Sequence, residues 1–148
     1  MKWRYALIAV LTTLLITTFT ISSQPLLANN SSVATASDLV AAINSANSNP
    51  DADTIILISD ITLDAIAESS TTYGNSGLPA ITSDITIEGQ GHWLFWGGPN
   101  FRFLRIASTG TLTLYNLSLG AGHATAGTTA GGCGSGISCG GGIFSEGT

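Results

Sequence analysis

The stretch DITIE at residues 84–88 and the stretch TLTL at residues 111–114 decide the fold prediction. In both stretches aliphatic side chains alternate with polar ones, which is typical of a strand with one buried face and one solvent-facing face. We therefore predict that Ile85 and Ile87 point into the core, together with the two leucines of the second stretch. The polar residues between them are predicted to point outward.

Other short strands are predicted before and after these two stretches. An apolar run occupies residues 55–58, and Asn116 is predicted to form the turn between two closely spaced strands. The strands that begin near residues 55, 85 and 112 are 30 and 27 residues apart. A spacing of this size is typical of a solenoid, in which each coil contributes a few short strands.

A single helix is predicted at residues 38–47, where Leu39, Ile43 and Ala46 recur at helical spacing and Ser37 is the expected N-cap. It is expected to cover the open strand edge of the first coil. These patterns together predict an all-β fold, a right-handed parallel β-helix (solenoid) with a short N-terminal capping α-helix, truncated at its C-terminal end. A sandwich of antiparallel hairpins is the alternative, which the lack of two-residue Asn-Gly or Asp-Gly turns weakens.

The N-terminal segment has the layout of a secretory signal peptide. Lys2 and Arg4 precede an uncharged apolar run at residues 6–21, and Ala28 supplies a small residue at the cleavage position. An uncleaved membrane anchor is the alternative, but the run is shorter than the roughly 20 apolar residues of a spanning helix. We therefore predict removal of residues 1–28 and a secreted, cell-surface or outer-membrane location.

The predicted mature chain consists of a linker at residues 29–37 and a folded part at residues 38–148. Its only basic residues are Arg102 and Arg105. Because it also contains nine acidic residues, its formal charge is −7. A chain with so few cations has little to neutralise phosphates, which excludes nucleic acid as an expected partner. Membrane contact is expected only through the signal peptide or through a C-terminal anchor outside this chain.

Two cysteines, Cys133 and Cys139, lie in a glycine-rich segment with five residues between them. Export would place them in an oxidising compartment, so we predict a disulfide, with two free thiols as the alternative. The only other candidate ligand in this segment is His123, whereas structural metal sites use about four ligands. No metal and no other cofactor is therefore expected.

The densest aromatic cluster is the stretch HWLFW at residues 92–96, in which Trp93, Phe95 and Trp96 are candidate ligand-binding residues. Because consecutive positions are apolar, both faces of a strand here would be apolar and one must leave the core. The outer face could stack on a sugar ring or contact a partner protein. Alternatively, the preceding loop at residues 65–73 could cover it.

Several segments in a fixed order carry a family resemblance. They are SDLVAAINSAN (37–47), NPDADTI (49–55), GNSGLPAITS (74–83), ITIEG (85–89), FRF (101–103), GTLTL (110–114) and GGGIF (140–144). In this order they resemble the N-terminal part of secreted bacterial β-helix proteins of the CSLREA-domain and polymorphic outer-membrane-like type. The sequence departs from that pattern, because the leading cysteine is missing and Val40-Ala41 stands where an Arg-Glu pair is usual.

The resemblance implies a secreted or cell-surface, adhesin-like protein without catalytic activity. Its expected role is that of a structural or adhesive stalk or binding surface, and its expected partners are surface glycans or host and cell-surface proteins. A carbohydrate-binding module is an alternative that would use the aromatic cluster at residues 92–96.

A second alternative is a polysaccharide lyase or hydrolase of pectate-lyase-like fold. Such enzymes use outward carboxylates for Ca²⁺ and a nearby arginine as base, so Asp84 and Glu88 with Arg102 or Arg105 are the candidate residues. A Ca²⁺ site takes six to eight oxygen ligands, and few carboxylates lie near these positions in the sequence. An exposed polar face is therefore the preferred interpretation of the two acids, and no catalytic residue is predicted.

Overall fold

A computed structural model describes residues 29–122 and 141–147 of the 148-residue chain. The predicted signal peptide, Cys133, Cys139 and His123 lie outside the described residues.

The described chain contains eleven short strands and one helix. In chain order they are β1 (Asn30–Val33), α1 (Ala36–Ala46), β2 (Asp53–Leu57), β3 (Ile61–Leu63), β4 (Glu68–Ser70), β5 (Gly74–Ser76), β6 (Asp84–Glu88), β7 (Trp93–Trp96), β8 (Leu104–Ile106), β9 (Thr111–Tyr115), β10 (Ser118–Gly120) and β11 (Ile143–Ser145).

The largest sheet has four parallel strands in the order β1, β2, β6, β9. Ile85 lies in register with Leu112, and Ile87 lies in register with Ile55 on one side and Leu114 on the other. Both isoleucines are fully buried, whereas the two leucines are half-buried at the edge strand. The alternation predicted for residues 84–88 is confirmed, because every second side chain of β6 faces the core.

Helix α1 packs its apolar face on this sheet and on β3. Leu39, Ile43 and Ala46 are buried, as their spacing predicts. The N-cap is Thr35, not Ser37, because the Thr35 hydroxyl accepts a hydrogen bond from the backbone N–H of Asp38 at 3.1 Å. The same hydroxyl donates to the Asp38 carboxylate at 2.8 Å, which anchors the acid near the helix N-terminus.

A second parallel sheet has three strands in the order β3, β7, β10. Leu94, at the centre of β7, lies in register with Ile61 and Leu119 and is fully buried. The left-handed backbone conformation of Asn116, with φ of 48°, makes the turn between β9 and β10. The turn predicted at Asn116 is therefore confirmed.

Two smaller sheets complete the structure. Strands β8 and β11 pair in parallel, and strands β4 and β5 pair antiparallel. The β4–β5 connection has three residues and is followed by Gly74 with φ of 83°, a conformation that glycine adopts without a steric penalty.

The prediction of an all-β, right-handed parallel β-helix is wrong. The described strands form four separate short sheets, three parallel and one antiparallel, rather than a solenoid. The physical reason lies between β3 and β6, where the chain folds back on itself as the β4–β5 hairpin. Within the predicted linker, residues 30–33 form β1, and this strand pairs in parallel with the edge of β2.

One core connects the helix and the sheets. Its most deeply buried aliphatic and aromatic side chains are Leu39, Ile43, Ile55, Leu57, Ile61, Leu63, Leu78, Ile81, Ile85, Ile87, Leu94, Phe101, Phe103 and Leu104. Beside this core, Gly122 lies so close to the Gly141 carbonyl and to the Phe103 ring that a side chain at position 122 would collide with them. Gly122 and Gly141 therefore lie next to each other beside Phe103.

Candidate functional site

Two large aromatic side chains stand exposed on the outer face of strand β7. Trp93 is 44% exposed and Phe95 is 39% exposed, although the intervening Leu94 is fully buried. The ring centroids of Trp93 and Phe95 are 5.5 Å apart and their planes differ by 3°. We call this feature the aromatic pair.

The neighbouring strands leave room around the aromatic pair because their outward residues are small. Trp93 lies in register with Ser118, and Phe95 lies in register with Thr62 and Gly120. A side-chain carbon at position 120 would lie only 3.1 Å from the Phe95 ring, so the absence of a side chain there accommodates the ring. The pair therefore stands above a small, hydroxyl-bearing surface.

Trp96 is separated from the aromatic pair. Its side chain is half-buried, its indole N–H donates to the Pro99 carbonyl at 2.9 Å, and its ring meets Phe101 edge-on at 6.5 Å between centroids. These contacts hold Trp96 against the core. Of the three predicted ligand-binding residues, the structure thus brings Trp93 and Phe95 together on the surface and directs Trp96 elsewhere.

An exposed carboxylate borders the aromatic pair. Asp60 Oδ1 accepts a hydrogen bond from the Trp93 backbone N–H at 3.0 Å and lies 3.1 Å from His92 Nδ1. The hydrogen bond from the Trp93 backbone, followed by that from His92, holds the pKa of Asp60 below its usual value of 3.8. Asp60 is therefore an ionised, outward-facing acceptor at neutral pH.

The loop at residues 65–73 does not cover the aromatic pair, which remains exposed. The loop instead contributes to a charged cluster on another part of the molecule. Glu68 in β4 pairs with Arg105 in β8, and the carbonyl of Tyr73 accepts a hydrogen bond from Arg102. The interpretation that these residues shield the aromatic cluster is therefore wrong.

Arg105 is held between two carboxylates and an aromatic ring. Its guanidinium contacts Glu68 and Glu146 and lies over the Tyr73 ring at 4.7 Å from the centroid. Burial lowers the pKa of Arg105, but the hydrogen bonds with the two glutamates outweigh burial and raise it. Arg105 is therefore a permanent cation whose binding capacity is already used within the chain.

Arg102 is more deeply buried than Arg105, because only 2% of its surface is exposed. Its Nη2 donates to the Tyr73 carbonyl, and its guanidinium lies 4.9 Å from the centroid of the Phe144 ring. Its Nε and Nη1 have no hydrogen-bond partner among the described residues. Desolvation lowers the pKa of Arg102, an effect that the nearby Glu68 opposes.

The structure does not assemble the residues named for a lyase site. Asp84 and Glu88 lie on β6, whereas Arg102 and Arg105 are engaged by the Tyr73 carbonyl, Glu68 and Glu146. In the described part of the chain, no group of three or more His, Cys, Asp or Glu side chains is arranged to hold a metal ion. The described contacts of both arginines are thus made with groups other than the β6 carboxylates.

A groove of about 310 Å³ lies between the start of α1 and the residues that follow β3. Val40, Leu63, Ile66 and Ala67 contribute to its mostly apolar lining. Binding sites combine such a lining with convergent polar groups. The polar side chains that line this groove are Ser37 and Asp64, so the aromatic pair with its bordering carboxylate is the better candidate.

Sequence reasoning missed Asp60 and the partners of the arginines. The signal for Asp60 was available, because it precedes β3 at two-residue spacing from the outward Thr62, and the same spacing places it on the outer face. No local signal connects Glu68 or Glu146 with Arg105, since these residues are 37 and 41 positions away from it.

No family model matches this sequence, and neither the curated proteins nor the solved structures include a significant match. Within the described residues, the helix is too short to cross a bilayer.

Proposed function

We propose that this chain is an exported, non-catalytic carbohydrate-binding protein that contacts its ligand through Trp93 and Phe95. The observation that carries this proposal is the aromatic pair, two large rings held parallel and exposed on a short strand. Burying such rings against a ligand is favourable, which makes their exposure worth a functional explanation.

The geometry suits a sugar ring. The face of an aromatic ring is electronegative, and the C–H groups on one side of a pyranose present an apolar, slightly electropositive surface to it. Because the two rings stack on each other on one β-strand, both are already held in place, and little conformational freedom is lost when a ligand stacks on the exposed face of either ring. The adjacent Ser118 and Thr62 hydroxyls and the Asp60 carboxylate supply partners for sugar hydroxyls.

A protein partner is less well supported by the same surface. A stable protein interface buries roughly 800 Å² on each partner and has an apolar centre. Around the aromatic pair, the outward positions of β3 and β10 are Thr62, Ser118 and Gly120, none of which is apolar and large. The aromatic pair is therefore not surrounded by the further large apolar side chains that the centre of a protein interface requires.

Two observations from the sequence support export and a binding role. Residues 1–28 have the layout of a signal peptide, and residues 37–148 resemble adhesin-like secreted proteins. The two arginines that are candidates for the base of a lyase contact Glu68, Glu146 and the Tyr73 carbonyl within the chain. Binding without turnover is the function that accounts for these features together.

The test is a glycan array and affinity electrophoresis of the exported chain and its Trp93→Ala/Phe95→Ala variant. We expect retention by at least one glycan and a loss of about tenfold or more in affinity in the variant. The matched control is Tyr115→Ala, which removes a 64% exposed aromatic ring from β9 in another sheet and should leave binding unchanged.

Circular dichroism of all variants separates loss of the surface from loss of the fold. Binding that survives in the double variant would overturn the proposal. So would the absence of any glycan ligand alongside tight capture of a protein by the same surface.

A further inference from the structure

We propose that the aromatic pair selects neutral glycans over acidic ones, and that Asp60 is the specificity-determining residue. This inference rests on the proposed function, because it names the chemical class of the ligand that the same surface takes.

The first argument is the distribution of charge. All nine acidic residues and both arginines of residues 29–148 lie in the described part of the chain. Arg102 is buried and Arg105 is paired with two glutamates, so neither guanidinium can reach a ligand on β7. The described surface therefore has no arginine or lysine available to bind a uronate carboxylate, which arginine would normally do with paired hydrogen bonds.

The second argument is the position of Asp60. Its Oδ1 is used by the Trp93 backbone and His92, and its side chain remains 54% exposed. The described residues place no hydrogen-bond donor on Oδ2. An ionised carboxylate can only accept hydrogen bonds, so Oδ2 is suited to the hydroxyl groups of a neutral sugar stacked on Trp93.

The same carboxylate disfavours an acidic sugar. A uronate bound on Trp93 would bring a second negative charge close to Asp60, with no arginine or lysine available to pair with it. Like charges at that distance repel each other, and the repulsion weakens with added salt. The lowered pKa of Asp60 keeps this charge in place over the neutral and mildly acidic range. Asp60 thus acts both as an acceptor for neutral sugars and as a barrier to acidic ones.

The experiment compares glycans that differ only in charge. The probes are cellohexaose and mannohexaose, and the β-1,4-linked hexasaccharides of glucuronic and mannuronic acid, which carry a carboxylate in place of each hydroxymethyl group. Affinities are measured with the exported chain in EDTA at low salt. We expect the neutral member of a pair to bind about tenfold or more tightly than the acidic member.

Variants assign the selectivity to Asp60. In Asp60→Asn, which keeps the acceptor for the Trp93 N–H, we expect the acidic probe to gain affinity and the ratio to fall severalfold. Asp84→Asn removes an exposed acid from β6 and should leave the ratio unchanged. Raising the salt to 1 M should reduce the ratio more in the wild-type chain than in Asp60→Asn, whose remaining acidic residues still repel the acidic probe weakly at low salt.

The outcomes separate the two proposals. Equal binding of both probes that is abolished by Trp93→Ala/Phe95→Ala would overturn the selectivity and leave the proposed function standing. Tighter binding of the acidic probe, or a ratio unaffected by Asp60→Asn, would also overturn the inference. If none of the four probes and no glycan of the array binds, the proposed function fails and the inference fails with it.

Discussion

Both carboxylate oxygens of Glu68 lie within 3.3 Å of Arg105 Nε, although the two residues are 37 positions apart in the chain. The opposite side of the same guanidinium contacts Glu146. Arg105 therefore joins β4 of the hairpin, β8, and the residue that follows β11. All three side chains are mostly shielded from water, so this network is a structural connection rather than a surface ion pair.

We expect Arg105→Met to destabilise the fold by about 3 kcal/mol, because it leaves two partly buried carboxylates close together without a cation. The measurement is the denaturation midpoint in urea, with an unchanged slope. Arg105→Met combined with Glu68→Gln should recover part of the loss, since one of the unpaired charges is then removed. An unchanged midpoint in the single variant would show that the network contributes nothing.

Truncation of Ile87 measures how much the core beneath the large sheet contributes to the free energy of unfolding. It is fully buried and contacts its in-register neighbours on both sides, so Ile87→Ala should lower the free energy of unfolding by about 3 kcal/mol. Ile58→Ala is the matched control, because Ile58 is exposed and its truncation should change stability by less than about 0.5 kcal/mol. Similar losses in both variants would contradict the described burial.

Close packing against the backbone leaves no room for a side chain at position 110. A side-chain carbon at this position would overlap the carbonyl of Ile81 in the backbone, which cannot move without disturbing the hydrogen bonds of Ile81. We expect Gly110→Ala to cost about 1–3 kcal/mol in the free energy of unfolding. Gly142→Ala is the control, because a methyl group there meets open space. Thermal denaturation of the two variants should therefore diverge, and equal melting temperatures would refute the close approach.

The pKa of Asp60 predicts a specific dependence of stability on pH. Because the folded state holds this pKa below 3.8, the ionised carboxylate stabilises the folded state above that value and the contribution is lost as the pH falls through the folded-state pKa. The difference in denaturation midpoint between wild type and Asp60→Asn should therefore be constant above about pH 5 and change only below about pH 4. A difference that stays the same below about pH 4 would contradict this prediction.

Local features of the fold were predictable from the sequence. The strand at residues 84–88 was predicted because its two-residue period is visible within five positions, and the buried side of α1 was predicted because its apolar residues recur at helical spacing. The position of the N-cap was harder to predict, because Thr35 and Ser37 are both suitable N-cap residues. The reciprocal bonds between Thr35 and Asp38 decide it.

The arrangement of the sheets was not predictable in the same way. The spacing of strand starts at residues 55, 85 and 112 suggested a solenoid, but residues 64–83 contain a hairpin that the spacing conceals. Two-residue Asn-Gly and Asp-Gly turns are the strongest sequence signal of a hairpin, whereas the β4–β5 connection has three residues and is followed by a left-handed Gly74. Local periodicity indicates that strands exist, and it does not specify which of them pair.

The candidate site was predictable in part. Alternation along residues 92–96 implied that one aromatic face leaves the core, and Trp93 and Phe95 occupy that face. The position of Trp96 depends on Pro99 and Phe101, and the position of Asp60 beside Trp93 depends on the pairing of β3 with β7. Contacts of this kind follow from the register of the sheet and cannot be read from residue spacing.

The meeting of Gly122 and Gly141 has a practical consequence for protein engineering. Since the framework needs only to hold these two glycines together, the number of residues between them is not dictated by any distance to be spanned. A foreign peptide or a small domain whose own ends lie close together could replace residues 123–140 without stretching β10 or β11. The position beside Phe103 is thus a suitable point of attachment for an epitope or a reporter.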